Sequence, residues 1–279
     1  MVAPVPTEKA SNQEAILTVE NVSKRFVSGK QQVAAVNNVS LTVYPGEFVV
    51  FVGPSGCGKS TLLNMIAGFE KPSEGQILVL DQPVTRPHPD RLMMFQEHAL
   101  FPWLNVIQNV TYGLRWKYRF KPRFRRQRGR ELLKMIHLEE FEKARVHELS
   151  GGMKQRAALA RALAPDPKIL LIDEPFPALD ALTRQKLYGD LQEIFTQTRK
   201  TIVSITHDMR EAACLGDRVF IFTGRPGQIR SELKIDLPRP RDLNDPKVAE
   251  YAQVLMKELE DDSSEEKAAS LHPQLPTLT

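Results

Sequence analysis

The sequence predicts an α/β fold in which buried parallel strands alternate with helices. The apolar run 48–52 leads into a glycine-rich segment, after which apolar residues recur at helical spacing. Two further apolar runs, at 169–172 and 201–205, each end in polar residues. Because the carboxyl ends of parallel strands share one edge of a sheet, the sequence predicts a functional site at that edge.

The glycine-rich segment satisfies the phosphate-loop pattern G-x-x-x-x-G-K-[ST]. Its glycines let main-chain amides close around an anion, and the following helix adds its positive N-terminal dipole. We expect Lys59 to reach the β- and γ-phosphates of a nucleotide and Ser60 to bind Mg²⁺. The alternative is a simple strand-to-helix turn, but such a turn would not require Lys-Ser at these two positions. The predicted nucleotide-binding residues here are Gly53, Pro54, Ser55, Gly56, Cys57, Gly58, Lys59, Ser60 and Thr61.

The composition is that of a soluble globular protein, with 42% hydrophobic and 26% charged residues and a net charge of +4. The sequence contains neither an apolar run of about 20 residues nor an apolar signal core, which predicts a cytoplasmic protein. Its two cysteines, Cys57 and Cys214, are too few for a disulfide scaffold and lack metal-site spacing. We expect both to be reduced thiols.

Domain boundaries follow from changes in pattern along the chain. We predict a disordered N-terminus at 1–14, one nucleotide-binding domain at 15–241, and a C-terminal helix with an acidic, disordered tail at 242–279. The tail, taken from Asp262 onward, is polar and aperiodic. Helical periodicity between Leu100 and about Leu163 predicts an inserted helical subdomain at about 97–165. The prolines and glycines of 224–240 predict a short tail that follows the last core strand, 218–222.

The N-terminal part predicts a β-rich edge. Residues 16–19 and 36–43 alternate apolar and polar side chains like half-exposed antiparallel strands. Phe26 precedes the turn between them and could stack on a nucleotide base, but a Phe that packs in the core or the turn is an equal alternative. Strands are also expected at 75–80 and 91–95. Gln96, at the end of the latter, could contact a metal or a water, or could be a surface residue.

A basic stretch interleaved with aromatic residues covers 115–130. Three interpretations remain open: a solvated helix face, contact with anionic lipid or a membrane protein, and contact with nucleic acid.

A second anion-binding geometry is predicted at 149–156. Ser150 is a candidate N-cap, and Gly151 and Gly152 expose backbone amides at the start of an Ala-rich helix. The alternative is an ordinary capped helix.

Three polar side chains end the predicted core strands. Asp173 is expected to help hold hydrated Mg²⁺, and Glu174 to polarise a water for attack on a γ-phosphate. The alternative is a surface Asp-Glu pair. His207 follows the other strand, where it could be structural, could hydrogen-bond the γ-phosphate, or could orient the attacking water.

Together these motifs, in this order, resemble the ATP-binding subunit of an ATP-binding-cassette transporter over about residues 16–241. The resemblance implies the ABC type of P-loop NTPase fold, ATP and Mg²⁺ as cofactors, and hydrolysis of ATP to ADP and phosphate. It implies adenine stacking by Phe26, a coupling and magnesium role for Gln96, magnesium binding by Asp173, a general base in Glu174 and a switch role for His207. It further implies that the signature segment, with Ser150, Gly151, Gly152 and Gln155, caps the γ-phosphate held by a second subunit, and that Asp180 lies in a loop across that dimer interface.

Residues 101–106, 173–184, 224–227 and 237–241 resemble the importer group for nitrate, bicarbonate, taurine and aliphatic sulfonates. Pro177 departs from the glycine usual in that group. The resemblance implies a peripheral protein on the cytoplasmic face of the inner membrane. Its expected partners are permease subunits, a second ATPase subunit as a homo- or heterodimer and, indirectly, a substrate-binding protein, with no nucleic acid. The alternative is a non-transport cassette ATPase that acts on nucleic acid or ribosomes.

Overall fold

The computed structural model describes residues 14–28, 31–95, 99–174 and 181–270, without the side chains of 28, 116, 117, 181–183 and 261–270. The strands are β1 (Leu17–Ser28), β2 (Gln31–Val43), β3 (Phe48–Val52), β4 (Glu74–Val79), β5 (Gln82–Pro83), β6 (Arg91–Met94), β7 (Ile169–Asp173), β8 (Thr201–Ile205), β9 (Arg218–Phe222) and β10 (Ile229–Lys234). The helices are α1 (Lys59–Ala67), α2 (Val106–Val110), α3 (Leu114–Lys117), α4 (Pro122–Met135), α5 (Gly151–Leu163), α6 (Ala181–Thr198), α7 (Met209–Leu215) and α8 (Pro246–Ser270).

The strands form two sheets. An antiparallel sheet has the order β2-β1-β4-β5, and a six-stranded sheet has the order β10-β9-β3-β8-β7-β6. In the second sheet, the strands from β9 to β6 are parallel and β10 is antiparallel. The predicted α/β fold with an antiparallel β edge is therefore confirmed.

Strand β3 separates two hydrophobic cores because successive side chains of a strand point to opposite faces. Val49 and Phe51 pack with α1 and the antiparallel sheet, whereas Phe48 and Val50 pack with the helices on the other side. This double burial explains why β3 is apolar at every position. It also fixes the loop that follows β3 between the two sheets.

Helices α2 to α5 occupy the chain between β6 and β7, where the sequence predicts a helical insert. Buried apolar residues of α4 and α5, including Leu132, Leu133 and Leu159, join the core beneath the six-stranded sheet. Among the helices of the described ranges, none has the length and apolar character needed to cross a membrane.

The C-terminal part contains more regular structure than the sequence predicts. The segment 224–240 is not merely a tail, because β10 extends the sheet beyond β9. Strand β10 is an edge strand without fully buried residues, so its apolar alternation is weak. In addition, α8 continues past Asp262 to Ser270. Glu, Lys and Ala favour helix there without any apolar period, since the packed first turns of α8 have already nucleated it.

Candidate functional site

The phosphate loop joins β3 to α1 and requires glycine at two close approaches. Gly53 has φ 152°, and a Cβ there would lie 2.8 Å from the Phe222 carbonyl oxygen. Gly58 has φ 106°, and a Cβ there would lie 2.3 Å from the carbonyl oxygen of Ala35. These glycines let the loop pass between β2 and β9 while its amides stay accessible.

A cleft of about 380 Å³ opens beside this loop. Phe26 and Val33, which pair across β1 and β2, line one side. Phe26 is 40% exposed, so the structure places it at the cleft rather than in the core. The loop residues that line the cleft are Ser55, Gly56, Gly58, Lys59, Ser60 and Thr61. Gly53, Pro54 and Cys57 are outside this lining, and Cys57 is buried.

Lys59 is held inside the loop. Its side chain is only 7% exposed, and Nζ donates hydrogen bonds of 2.8 Å to the carbonyl oxygens of Gly53 and Pro54. These carbonyls thus direct the ammonium group to the floor of the cleft, where it can exchange a carbonyl partner for a phosphate oxygen.

Ser60 and Asp173 meet at the carboxyl edge of the sheet. The Ser60 hydroxyl donates to Asp173 Oδ1 at 3.2 Å. Burial raises the pKa of Asp173, and the hydrogen bond from Ser60 opposes that shift. A hydroxyl and a carboxylate in contact are the hard oxygen ligands that Mg²⁺ prefers, so these two residues fit the predicted metal.

Glu174 and His207 form the second polar pair. Oε1 of Glu174 lies 3.3 Å from His207 Nδ1, and Glu174 also lines the cleft. Glu174 has φ +45°, a backbone conformation that is unfavourable for residues other than glycine and that clusters at functional sites. Its amide donates to the Ile205 carbonyl oxygen at 3.1 Å, which ties the end of β7 to the end of β8.

Arg225 is a cleft residue that sequence reasoning missed. It follows β9, lines the cleft and donates from Nε to the Gly56 carbonyl oxygen at 3.1 Å. The available signal was Gly-Arg-Pro-Gly at 224–227, a segment predicted only to belong to a tail and to resemble the importer group. Two apolar residues, Ala35 and Ile205, complete the lining.

The signature segment lies elsewhere on the protomer. Ser150 caps α5 by accepting a hydrogen bond from the Met153 amide at 3.3 Å, as predicted. Ser150 and Gly151 are exposed, whereas Gly152 is buried. Among the described residues, the cleft is lined from β1, β2, the phosphate loop, the ends of β7 and β8, and the segment after β9. The N-terminus of α5 is therefore available to another chain.

Gln155 is 1% exposed and lies among Met94, Leu159 and Ile172 beneath the sheet. Its contact with a nucleotide held by another chain stays a prediction. The remaining two predicted site residues, Gln96 and Asp180, lie outside the described residues.

The basic stretch falls largely on α4. Arg126 Nη2 and Arg130 Nε contact the Glu142 carboxylate at 3.2 and 2.8 Å. Arg123 and Lys134 are exposed on the same helix, and Phe120, just before it, is 89% exposed. Part of the basic charge is thus balanced within the protein, and the rest faces outward beside an apolar ring.

Comparison with known proteins identifies the family to which this site belongs. A family model described as ABC transporter matches residues 36–177. The chain belongs to the ABC transporter family. The predictions of family, fold and ATP hydrolysis are therefore confirmed.

Curated relatives are similar over most of the ABC ATPase chain. An uncharacterised ABC transporter ATP-binding protein of Methanocaldococcus jannaschii is 44% identical over 255 residues, which cover 91% of this chain and 95% of the relative. A taurine import ATP-binding protein of Ruegeria pomeroyi is 43% identical, with 85% and 90% covered. A bicarbonate transport ATP-binding protein of Synechocystis is 42% identical, with 85% and 86% covered. The predicted likeness to the importer group is therefore confirmed.

A solved structure gives the same fold. It is a dimeric ATP-binding cassette in a post-hydrolysis state bound to ADP and phosphate, with a TM-score of 0.70 and 36% identity. The match covers 80% of this chain and 100% of the solved chain.

Proposed function

We propose that this ABC ATPase powers import of a small anionic solute of the nitrate, bicarbonate, taurine or sulfonate type through a membrane permease. The main support is the arrangement of Lys59, the Ser60–Asp173 pair and the Glu174–His207 pair at one end of the cleft. Relatives named for taurine import and bicarbonate transport favour this role over action on nucleic acid or ribosomes.

In the proposed site, each group has one task in ATP hydrolysis. Phe26 stacks on the adenine, while the loop amides and Lys59 hold the phosphates. Ser60 and Asp173, with Gln96, hold Mg²⁺, which neutralises charge on the phosphates when it is bound. Glu174 accepts a proton from the attacking water, and His207 hydrogen-bonds the γ-phosphate and keeps Glu174 oriented.

We further propose that the working unit is a dimer. The exposed positions of Ser150 and Gly151, apart from the cleft of their own chain, support capping of a nucleotide held by the other subunit. ATP would then close two subunits around shared nucleotides, with Asp180 at the interface, and hydrolysis would reopen them. The dimeric state of the similar cassette agrees with this arrangement. The second subunit can be an identical or a related chain.

The permease is expected to dock at 96–106 and the helical region. Buried Asn109 holds part of this segment: its Oδ1 accepts from the Phe101 amide at 2.8 Å, and its Nδ2 donates to the Leu104 carbonyl at 3.3 Å. Trp103 is left 68% exposed on a fixed backbone. An exposed Trp on a rigid segment is typical of the centre of a protein interface.

Docking there would place the protein on the cytoplasmic face of the inner membrane as a peripheral subunit, beneath the permease and its substrate-binding protein. We propose that the outward-facing cations of α4, with Phe120, then contact anionic lipid headgroups. Charge of this kind attracts anionic leaflets, and an exposed aromatic ring beside it suits the lipid interface.

The proposal is tested by copurification from native membranes. A tagged Glu174→Gln chain is solubilised with ATP and Mg²⁺, and the retained proteins are identified by mass spectrometry. Recovery of a hydrophobic permease is expected, and a binding protein recovered with it would indicate the solute. A Glu174→Gln, Trp103→Ala chain should retain less permease while it binds ATP normally. Recovery of soluble or nucleic-acid-bound partners alone would overturn the importer assignment but not the ATPase family.

A further inference from the structure

Glu211 is a buried carboxylate to which the mechanism above gives no task. It lies on α7 and is 5% exposed. Its Oε2 accepts hydrogen bonds from the Thr206 hydroxyl at 2.7 Å and the Tyr188 hydroxyl at 3.1 Å. Its Oε1 is buried without a hydrogen-bond partner among the described residues. Burial of an acid with an unsatisfied oxygen is unfavourable, so packing alone does not account for Glu211.

The Thr206 hydroxyl connects Glu211 to both sides of His207. It donates to Glu211 and accepts from the Asp208 amide at 3.1 Å. The Thr206 amide in turn donates to the Phe51 carbonyl oxygen at 3.2 Å on β3. The main chain before and after His207 is therefore fixed by contacts of one residue, Thr206.

The Tyr188 hydroxyl connects Glu211 to a different element. Tyr188 is buried on α6, and α6 begins at Ala181, directly after the segment 175–180. That segment contains Asp180, which is proposed to lie at the dimer interface. Glu211 thus links the turn that contains His207 to α6, the helix directly after 175–180.

The surroundings of Glu211 place its ionisation near neutral pH. Burial raises its pKa to about 7, and the hydroxyls of Thr206 and Tyr188 oppose this shift. From α6, Arg184 also lowers the pKa, whereas Asp208 at the start of α7 raises it. Glu174 and His207 line the same cavity of about 40 Å³ as Glu211. Burial and, to a smaller extent, the charge of Glu211 raise the pKa of Cys214 on the same helix. An ionised acceptor makes stronger hydrogen bonds than a neutral one.

We propose that Glu211 is a positioning residue for ATP hydrolysis: it fixes the turn that holds His207 against Glu174 and ties that turn to α6. The inference rests on the proposed function, which assigns the roles of Glu174 and His207. The ionised carboxylate holds both hydroxyls firmly, and its protonation loosens the turn.

The test is the pH profile of ATP turnover by the full chain in its membrane complex. For the wild type, kcat should fall as the pH is lowered through about 7. Above that pH, Glu211→Gln should lower kcat by roughly 10-fold, the effect of weakening one charge-assisted hydrogen bond. The KM for ATP should stay within about twofold, because Glu211 does not line the cleft. The acid limb that Glu211 contributes should disappear in this variant.

A second variant keeps the proposal testable if Glu211→Gln does not fold. Thr206→Val removes the hydroxyl while it preserves shape, and it should flatten the same limb. The kcat of the double variant should be no lower than that of the slower single variant, because both substitutions remove the same Thr206–Glu211 hydrogen bond. Glu250→Gln, at an exposed carboxylate of α8, is the matched control and should retain the wild-type profile.

The positioning role would be overturned if Glu211→Gln kept the acid limb of the wild-type pH profile. It would also be overturned if the roughly 10-fold loss of activity came from a higher KM for ATP and not from a lower kcat. Wild-type turnover by Glu174→Gln would instead overturn the proposed function. If Glu174→Gln is inactive and Glu211→Gln behaves as the wild type, only the present inference fails.

Discussion

Glu174 Oε1 lies 3.3 Å from His207 Nδ1, although the two residues are far apart in the chain. Strand pairing brings them together: Asp173 pairs with Ile205 at the ends of β7 and β8, so the residues that follow each strand converge. The positive φ of Glu174 turns its side chain toward the cleft immediately after the strand. This relationship underlies the first prediction.

Replacing Glu174 with Gln should retain ATP binding and slow hydrolysis by roughly 10² to 10⁴-fold, as loss of a general base does. The amide preserves size and hydrogen-bonding but cannot take the proton. Single-turnover hydrolysis and equilibrium nucleotide binding measure the two effects separately. Glu250→Gln serves as the exposed carboxylate control. Turnover near the wild-type value would show that Glu174 is not the base.

Lys59→Ala should weaken ATP binding itself. The substitution removes a charged donor, and hydrogen bonds to charged groups contribute about 1.5 to 3 kcal/mol, which corresponds to roughly 10 to 100-fold in Kd. Titration with ATP and with ADP measures the change, and thermal unfolding checks the loop, because Lys59 also donates to the Gly53 and Pro54 carbonyls. Lys257→Ala, on the exposed face of α8, should bind normally. Unchanged ATP affinity in a folded Lys59→Ala protein would remove Lys59 from the site.

Arg225→Ala should raise the Kd for ATP by roughly 5 to 10-fold, the effect of losing one partly solvated charge in a binding cleft. Arg225 contributes positive charge to the cleft and supports the Gly56 carbonyl. Arg225→Lys should recover part of the affinity, because lysine restores the charge but not the planar guanidinium group with its several N–H donors. Calorimetric titration of the three proteins provides the comparison. If Arg225→Ala binds as tightly as the wild type, the cleft ends before this residue.

Local patterns could predict the central part of this fold and site. A pattern of a few residues is enough to predict the buried strands β3, β7 and β8 and the glycine-rich phosphate loop. Strand β10 gave no such signal, because an edge strand without buried residues has no strong period.

Residues that act through tertiary contacts were beyond sequence reasoning. Arg225 reaches the cleft only because β9 lies beside β3. Glu211 is distinguished by its burial against Tyr188 of α6 and Thr206, which follows β8. The burial of Gln155 was not predictable from its motif either, because it depends on the register of α5 against the sheet.

Neutralising the outward cations of α4 should weaken binding to anionic vesicles. Arg123→Gln with Lys134→Gln removes two cations, each worth at most about 1 kcal/mol near a membrane surface, so the partition coefficient should fall by up to roughly 30-fold. Lys247→Gln with Lys257→Gln removes the same charge from α8 as a control. Vesicle sedimentation at low and high salt measures the difference. Equal loss in both double variants would indicate net charge rather than a specific surface.

The last prediction concerns stability and follows from the sign of the Glu211 shift. Burial raises the pKa of this carboxylate from 4.5 to about 7, so the folded state binds its proton more tightly than the unfolded state. The stabilisation from that proton is complete below about pH 4.5, falls as the pH rises between these two values, and is lost above about 7. The ionised acid that the positioning role requires is therefore the less stable form.

Glu211→Gln mimics the protonated acid and should abolish this dependence. At alkaline pH we expect the variant to unfold at a higher temperature than the wild type, with a free energy of unfolding larger by up to about 3 kcal/mol. Near pH 5 the two proteins should unfold at nearly the same temperature. Differential scanning calorimetry across this range makes the comparison, with Glu250→Gln as control. A variant that gains stability while it loses turnover above neutrality would show that Glu211 is retained at the expense of stability for its role in the site. A constant difference at all pH values would mean that the pKa of Glu211 is the same in the folded and the unfolded protein.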